Sequence, residues 1–145
     1  MPRIALFVAF SLVAAACGAA GNLSEPIASS TIVGDFGGNQ VLLHATATGA
    51  EIEFSCMAVT VSNALTTDGS GHFTSTGGRR RTGGAIMIGG EPITPVRLDG
   101  YAYSTQGGTL QLIVSDIPEE PGAPISWADT LTLVRDRPAT IYLCP

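Results

Sequence analysis

Two histidines, three cysteines and one run of arginines are the residues of this chain with chemistry to offer. His44 lies on the strand-like stretch Gln40 to Thr48, on the face opposite Val41 and Leu43. A general base there needs a nucleophile to activate and an acid to orient it. No G-x-S-x-G elbow or H-E-x-x-H pair accompanies it, so His44 reads as an ordinary strand histidine and the chain as a non-enzyme. Asp68-Gly69-Ser70-Gly71-His72 sets polar groups at alternate positions in the manner of a calcium loop. It lacks the further carboxylates and the distal bidentate glutamate of such a loop, so it reads as a glycine turn, with no metal and no cofactor expected. Arg79, Arg80 and Arg81 sit among four glycines in the stretch from Gly77 to Gly84. They read as an exposed loop able to dock an anionic partner, either an acidic protein or a phosphate-bearing polysaccharide.

The basic side is entirely arginine, which excludes lysine nucleophiles, Schiff bases and phosphate-loop lysines. Net charge is −5 with 13% charged residues, and one short basic cluster on an acidic domain excludes nucleic acid as a partner, because backbone affinity needs many distributed cations.

The elements that must position these residues are strands. In Gly49 to Cys56, Ile52, Phe54 and Cys56 alternate with Glu51, Glu53 and Ser55, the period of a strand with one buried face. Alternation recurs in Val41 to Ala47, Val96 to Ala102, Leu110 to Val114 and Leu131 to Leu133, with glycine-rich turns between. No window beyond the N-terminus keeps a helical period. The reading is all-β: a small antiparallel meander barrel of seven to nine strands, with a two-sheet sandwich as the alternative. Thr140 to Cys144 reads as the closing strand, joined by a Cys56–Cys144 disulfide to an early one. If Ile141 and Leu143 face the core, Cys144 points outward while Cys56 points inward, so the bridge requires a bulge or a place at the barrel rim.

The N-terminus is a targeting segment. Arg3, the apolar run Ile4 to Val13 and Ala14-Ala15-Ala16-Cys17-Gly18 match a secretory signal peptide, too short in its apolar part to span a bilayer permanently. Ala-Ala-Ala-Cys resembles the lipobox of bacterial lipoproteins, with alanine at Ala14 where leucine is usual. That resemblance implies cleavage after residue 16 and lipidation of Cys17, a membrane anchor for an envelope lipoprotein. It leaves Cys56 and Cys144 as an even pair. The other reading, cleavage near Ala20 to give a periplasmic or secreted protein, discards Cys17 and leaves the same pair. Residues 1–16 are thus expected to be the signal peptide, 17–31 a flexible tether and 32–145 the barrel domain.

Gly34-Asp35-Phe36-Gly37-Gly38, Ile52-Glu53-Phe54-Ser55-Cys56, Asp68-Gly69-Ser70-Gly71-His72-Phe73 and the final Leu143-Cys144 resemble a group of short exported bacterial β-barrel proteins of no assigned function. The resemblance covers nearly all of the chain from residue 34, with Phe36 where that group has tryptophan. Its motifs are turn glycines and a cysteine pair, so it implies a fold and no chemistry. The function expected is a non-enzymatic envelope lipoprotein presenting loops to a protein or polysaccharide. The alternative is a carrier of a small apolar ligand inside a lipocalin-like barrel.

Overall fold

A computed structural model describes residues 25–26, 29–83, 90–104, 108–142 and 144. Residues 1–24, with the expected signal peptide and Cys17, lie outside it, as does the stretch 85–88. The strands are β1 (Glu25–Pro26), β2 (Gly34–Gly37), β3 (Val41–Ala45), β4 (Ala50–Phe54), β5 (Met57–Val61), β6 (His72–Arg81), β7 (Thr94–Ser104), β8 (Thr109–Asp116) and β9 (Ala128–Arg135). From β2 to β9 each strand pairs antiparallel with the next. β9 returns to pair with β2, closing an eight-stranded meander barrel and removing every long free edge. β1 adds to the end of β7 through Glu25↔Ser104 and Pro26↔Tyr103.

An eight-stranded barrel is just wide enough for its own side chains. The alternation seen in the sequence places Leu43, Ile52, Val59, Phe73, Leu98, Leu112 and Leu133 inside, each at most 2% exposed. Burial of each such side chain is worth about 1.5–3 kcal/mol. Gly100 occupies an inward position on β7 where a Cβ would collide with the Gln111 carbonyl, so the tight curvature there requires glycine.

Antiparallel up-and-down connection gives the barrel two distinct rims. The tyrosine rim holds the β3–β4, β5–β6 and β7–β8 connections. The N-terminal segment lies across it: Ser29 N donates to Asp68 O, Ile32 N to Leu65 O, and Thr67 N to Ser30 O. Ile32 and Leu65 are buried beneath that crossing, and the buried Thr67 hydroxyl is bonded to Ser30. Ordered pairing therefore reaches back to Glu25, N-terminal of Ile32. The arginine rim holds the β2–β3, β4–β5, β6–β7 and β8–β9 connections.

Two expectations are corrected. The arginines are not in a loop: Gly77 to Arg81 continue β6, with Met57↔Arg81, Ala58↔Arg80 and Val59↔Arg79 on one side. Two of the four glycines that suggested a loop, Gly77 and Gly78, are strand residues in tight quarters, and a Cβ on Gly77 would strike the Thr60 carbonyl. Nor does the C-terminal stretch close the barrel, since β9 does so. After Arg135, Asp136 takes a left-handed turn (φ 56°) and its N–H donates to Asp35 O. The chain then runs outside the sheet as a strap. It passes over Gly37, where any Cβ would meet the Arg137 carbonyl, and beside Glu51 and Glu53, to the arginine rim. There Cys144 is disulfide-bonded to Cys56, with Cα atoms 5.3 Å apart. Cys56 is an exposed residue of the two-residue β4–β5 connection, so the facing conflict between the cysteines is resolved at the rim.

Candidate functional site

Inward alternation along β6 runs Phe73, Ser75, Gly77, Arg79, and along β8 it runs Leu110, Leu112, Val114, Asp116. Each strand thus ends its inner row on a charge, both at the arginine rim. Asp116 is 4% exposed. Arg79 Nε donates to its Oδ1 at 2.9 Å and Nη2 to its Oδ2 at 2.8 Å, while Ser126 Oγ donates to Oδ2 at 2.7 Å. A bidentate guanidinium is the group that best offsets the cost of burying a carboxylate. Trp127 N-terminal to β9 covers the pair, with its ring 5.0 Å from Arg79 Cζ and its edge against Phe54 at 6.0 Å. The Trp127 carbonyl accepts from Asp116 N, which pins the β8–β9 connection over the mouth.

Beside this plug lies a cleft of about 560 Å³ lined by Phe54, Met57, Trp127, Arg81, Asp129 and Gln40, among others. Phe54, Met57 and Trp127 make an apolar wall. Arg81 has no carboxylate partner among the described residues and is exposed, whereas Arg80 points outward near Glu51 at 3.6 Å. Gln40 holds a left-handed backbone (φ 57°) as the last residue of the tight β2–β3 turn, which Gly38 N–H closes onto the Val41 carbonyl. Its Oε1 accepts from Ser55 Oγ. The cleft therefore offers an uncommitted cation, a carboxylate and amides around an apolar wall, a set suited to gripping a polar partner at the rim.

The three arginines thus separate: Arg79 is structural, Arg80 lies on the outer face, and Arg81 is at the cleft. His44 is exposed and hydrogen-bonded through Nδ1 to Asp35 on the outer face of β2 and β3. Asp68 caps its own turn, with Oδ1 accepting from Ser70 N, Ser70 Oγ and His72 N, which holds its carboxyl below the usual range mainly through the Ser70 hydroxyl. Cys56 borders the cleft and Cys144 lies behind it. Sequence reasoning missed Asp129, Asn39 and Gln40, which carry no pattern. Composition puts Asp116 at the head of the acidic, proline-rich stretch to Trp127, whereas the structure makes it the buried last residue of β8, as its place at the end of an apolar alternation would indicate. Comparison with protein-family models, curated proteins and solved structures finds no match to this chain.

Proposed function

We propose that the protein is a non-enzymatic, lipid-anchored protein of the bacterial envelope. In this reading it belongs with the exported group it resembles, and it binds a protein or polysaccharide partner through the arginine rim. The observation that carries the reading is the contrast at that rim between Arg79, fully committed to Asp116, and Arg81, uncommitted beside an aromatic-walled cleft. A fixed plug makes the floor rigid, and a free guanidinium on a rigid floor is a pre-organised donor for a carboxylate or phosphate. The filled inner face weighs against a ligand carried inside the barrel.

The test is binding of the exported protein to immobilised envelope proteins and, separately, to envelope polysaccharide. Arg81→Ser should lower affinity about tenfold, as loss of a charged hydrogen bond does, and the difference should shrink as salt rises. Arg97→Ser, a change on the outer face of β7, is the control. Equal binding by parent and Arg81→Ser on both supports would place the interface elsewhere.

A further inference from the structure

The described chain begins at the tyrosine rim, with Glu25 and Pro26 paired to the end of β7. Seven residues separate Glu25 from Cys17. Whatever their conformation, the chain spans at most about 3.6 Å per residue, so Cys17 lies within about 29 Å of Glu25. Eight-residue strands tilted by about 40° make a barrel about 20 Å tall. The tether to Cys17 is therefore attached at the tyrosine rim, and to turn the arginine rim toward the bilayer it would have to double back along the whole barrel, using about 20 Å of its reach of about 29 Å.

The side chains at that rim suit an interfacial position. Tyr101 is 44% exposed and its ring stacks on Tyr103 at 6.4 Å on the outer face of β7, while Val33 is 46% exposed where the N-terminal segment enters β2. His72 leans on Tyr101 at 4.9 Å and is held by Asp99, which fixes the first ring in place. Tyrosine has an apolar body and a polar tip, the combination that settles at headgroup depth.

We infer that the tyrosine rim is a lipid-facing surface, with Tyr101 and Tyr103 at the headgroups of the bilayer that holds Cys17, and that the arginine rim is presented away from it. The inference rests on the lipid anchor of the proposed function and adds which surface meets lipid.

The sequence has one tryptophan, Trp127, and it marks the arginine rim. The acylated protein is reconstituted in vesicles of phosphatidylethanolamine and phosphatidylglycerol carrying a headgroup spin label, and tryptophan emission is compared with label-free vesicles. The native protein should keep nearly all of its emission. Tyr103→Trp in a Trp127→Phe background should lose most of it, and Tyr101→Trp in the same background is the second variant should the first fold poorly. Quenching of Trp127 in the native protein as strong as at position 103 or 101 overturns the orientation while leaving the anchor intact. The mass of the N-terminal peptide reads the anchor separately: a Cys17 without acyl chains overturns the anchor and this inference together.

Discussion

At the tyrosine rim Ile32 and Leu65 seal the barrel beneath a crossing of backbone hydrogen bonds, whereas at the arginine rim a buried carboxylate, a guanidinium and an indole do the same job. The first seal gains stability from every apolar atom it hides. The second must first strip water from Asp116, and the Arg79 and Ser126 bonds largely offset that cost. Apolar residues of similar volume would close the mouth at least as well. What the ion pair adds is a rigid, polar floor beside an open cleft, the property on which the proposed recognition at this rim rests.

Three experiments bear on this contrast, in order of expected effect. The strap leaves the tyrosine rim and is bolted at the arginine rim, so reduction of Cys56–Cys144 frees a link of 88 residues in sequence separation. Loop entropy puts this at about 4.6 kcal/mol as an upper figure, a fall in melting temperature of about 10–20 °C. Equal melting curves with and without reductant would show that the strap does not couple the rims. The second experiment tests the seals. Leu65→Ala should cost about 2–4 kcal/mol by urea unfolding. Arg79→Ala and Asp116→Ala should each cost about 3 kcal/mol, yet Arg79→Met with Asp116→Leu should return to within about 1 kcal/mol of the parent. A double variant as unstable as the singles would make the ion pair a structural necessity, and the contrast would fail.

The smallest effect is acid sensitivity at the tyrosine rim. The folded-state pKa of Asp68 lies below the ordinary 3.8, so its contribution is present above that value and is lost as pH falls through the folded pKa. The side chain is exposed, so the effect is slight. Asp68→Asn keeps an oxygen acceptor for the turn and should flatten the decline of the urea midpoint below about pH 4. Parallel declines in both proteins would remove Asp68 from the account.

Much of the fold was legible because strand alternation is a local signal: Val41 to Ala45, Ile52 to Phe54 and Val96 to Ala102 read correctly as half-buried strands, and the cysteine pair followed from parity. The errors came where local pattern and long-range geometry disagree. Gly77 and Gly78 look like a loop, yet β6 needs glycine to curve past Thr60. Thr140 to Cys144 read as a closing strand, yet Ile141 and Cys144 lie on a strap outside the sheet. The aromatics were read together as pocket or core. Phe36 and Phe73 are core, Trp127 and Phe54 wall the cleft, and Tyr101 and Tyr103 face outward on β7. The cleft was invisible because Gln40, Arg81 and the pair Trp127 and Asp129 come from three separate stretches of the chain and meet only when the barrel closes.

That closure has a consequence in time. The seam between β2 and β9 is the shortest in the barrel, Phe36↔Arg135 and Gly37↔Val134, and it joins the first barrel strand made to the last. A chain emerging from its N-terminus can zip each hairpin as it appears, but β2 has no partner on its outer side until nearly all of the chain is present. Such topologies fold slowly, in milliseconds to seconds, because the closing contact carries the full loop entropy. Until then β2 is an open edge with unpaired backbone, the form in which a β-protein is most prone to join its neighbours instead of itself.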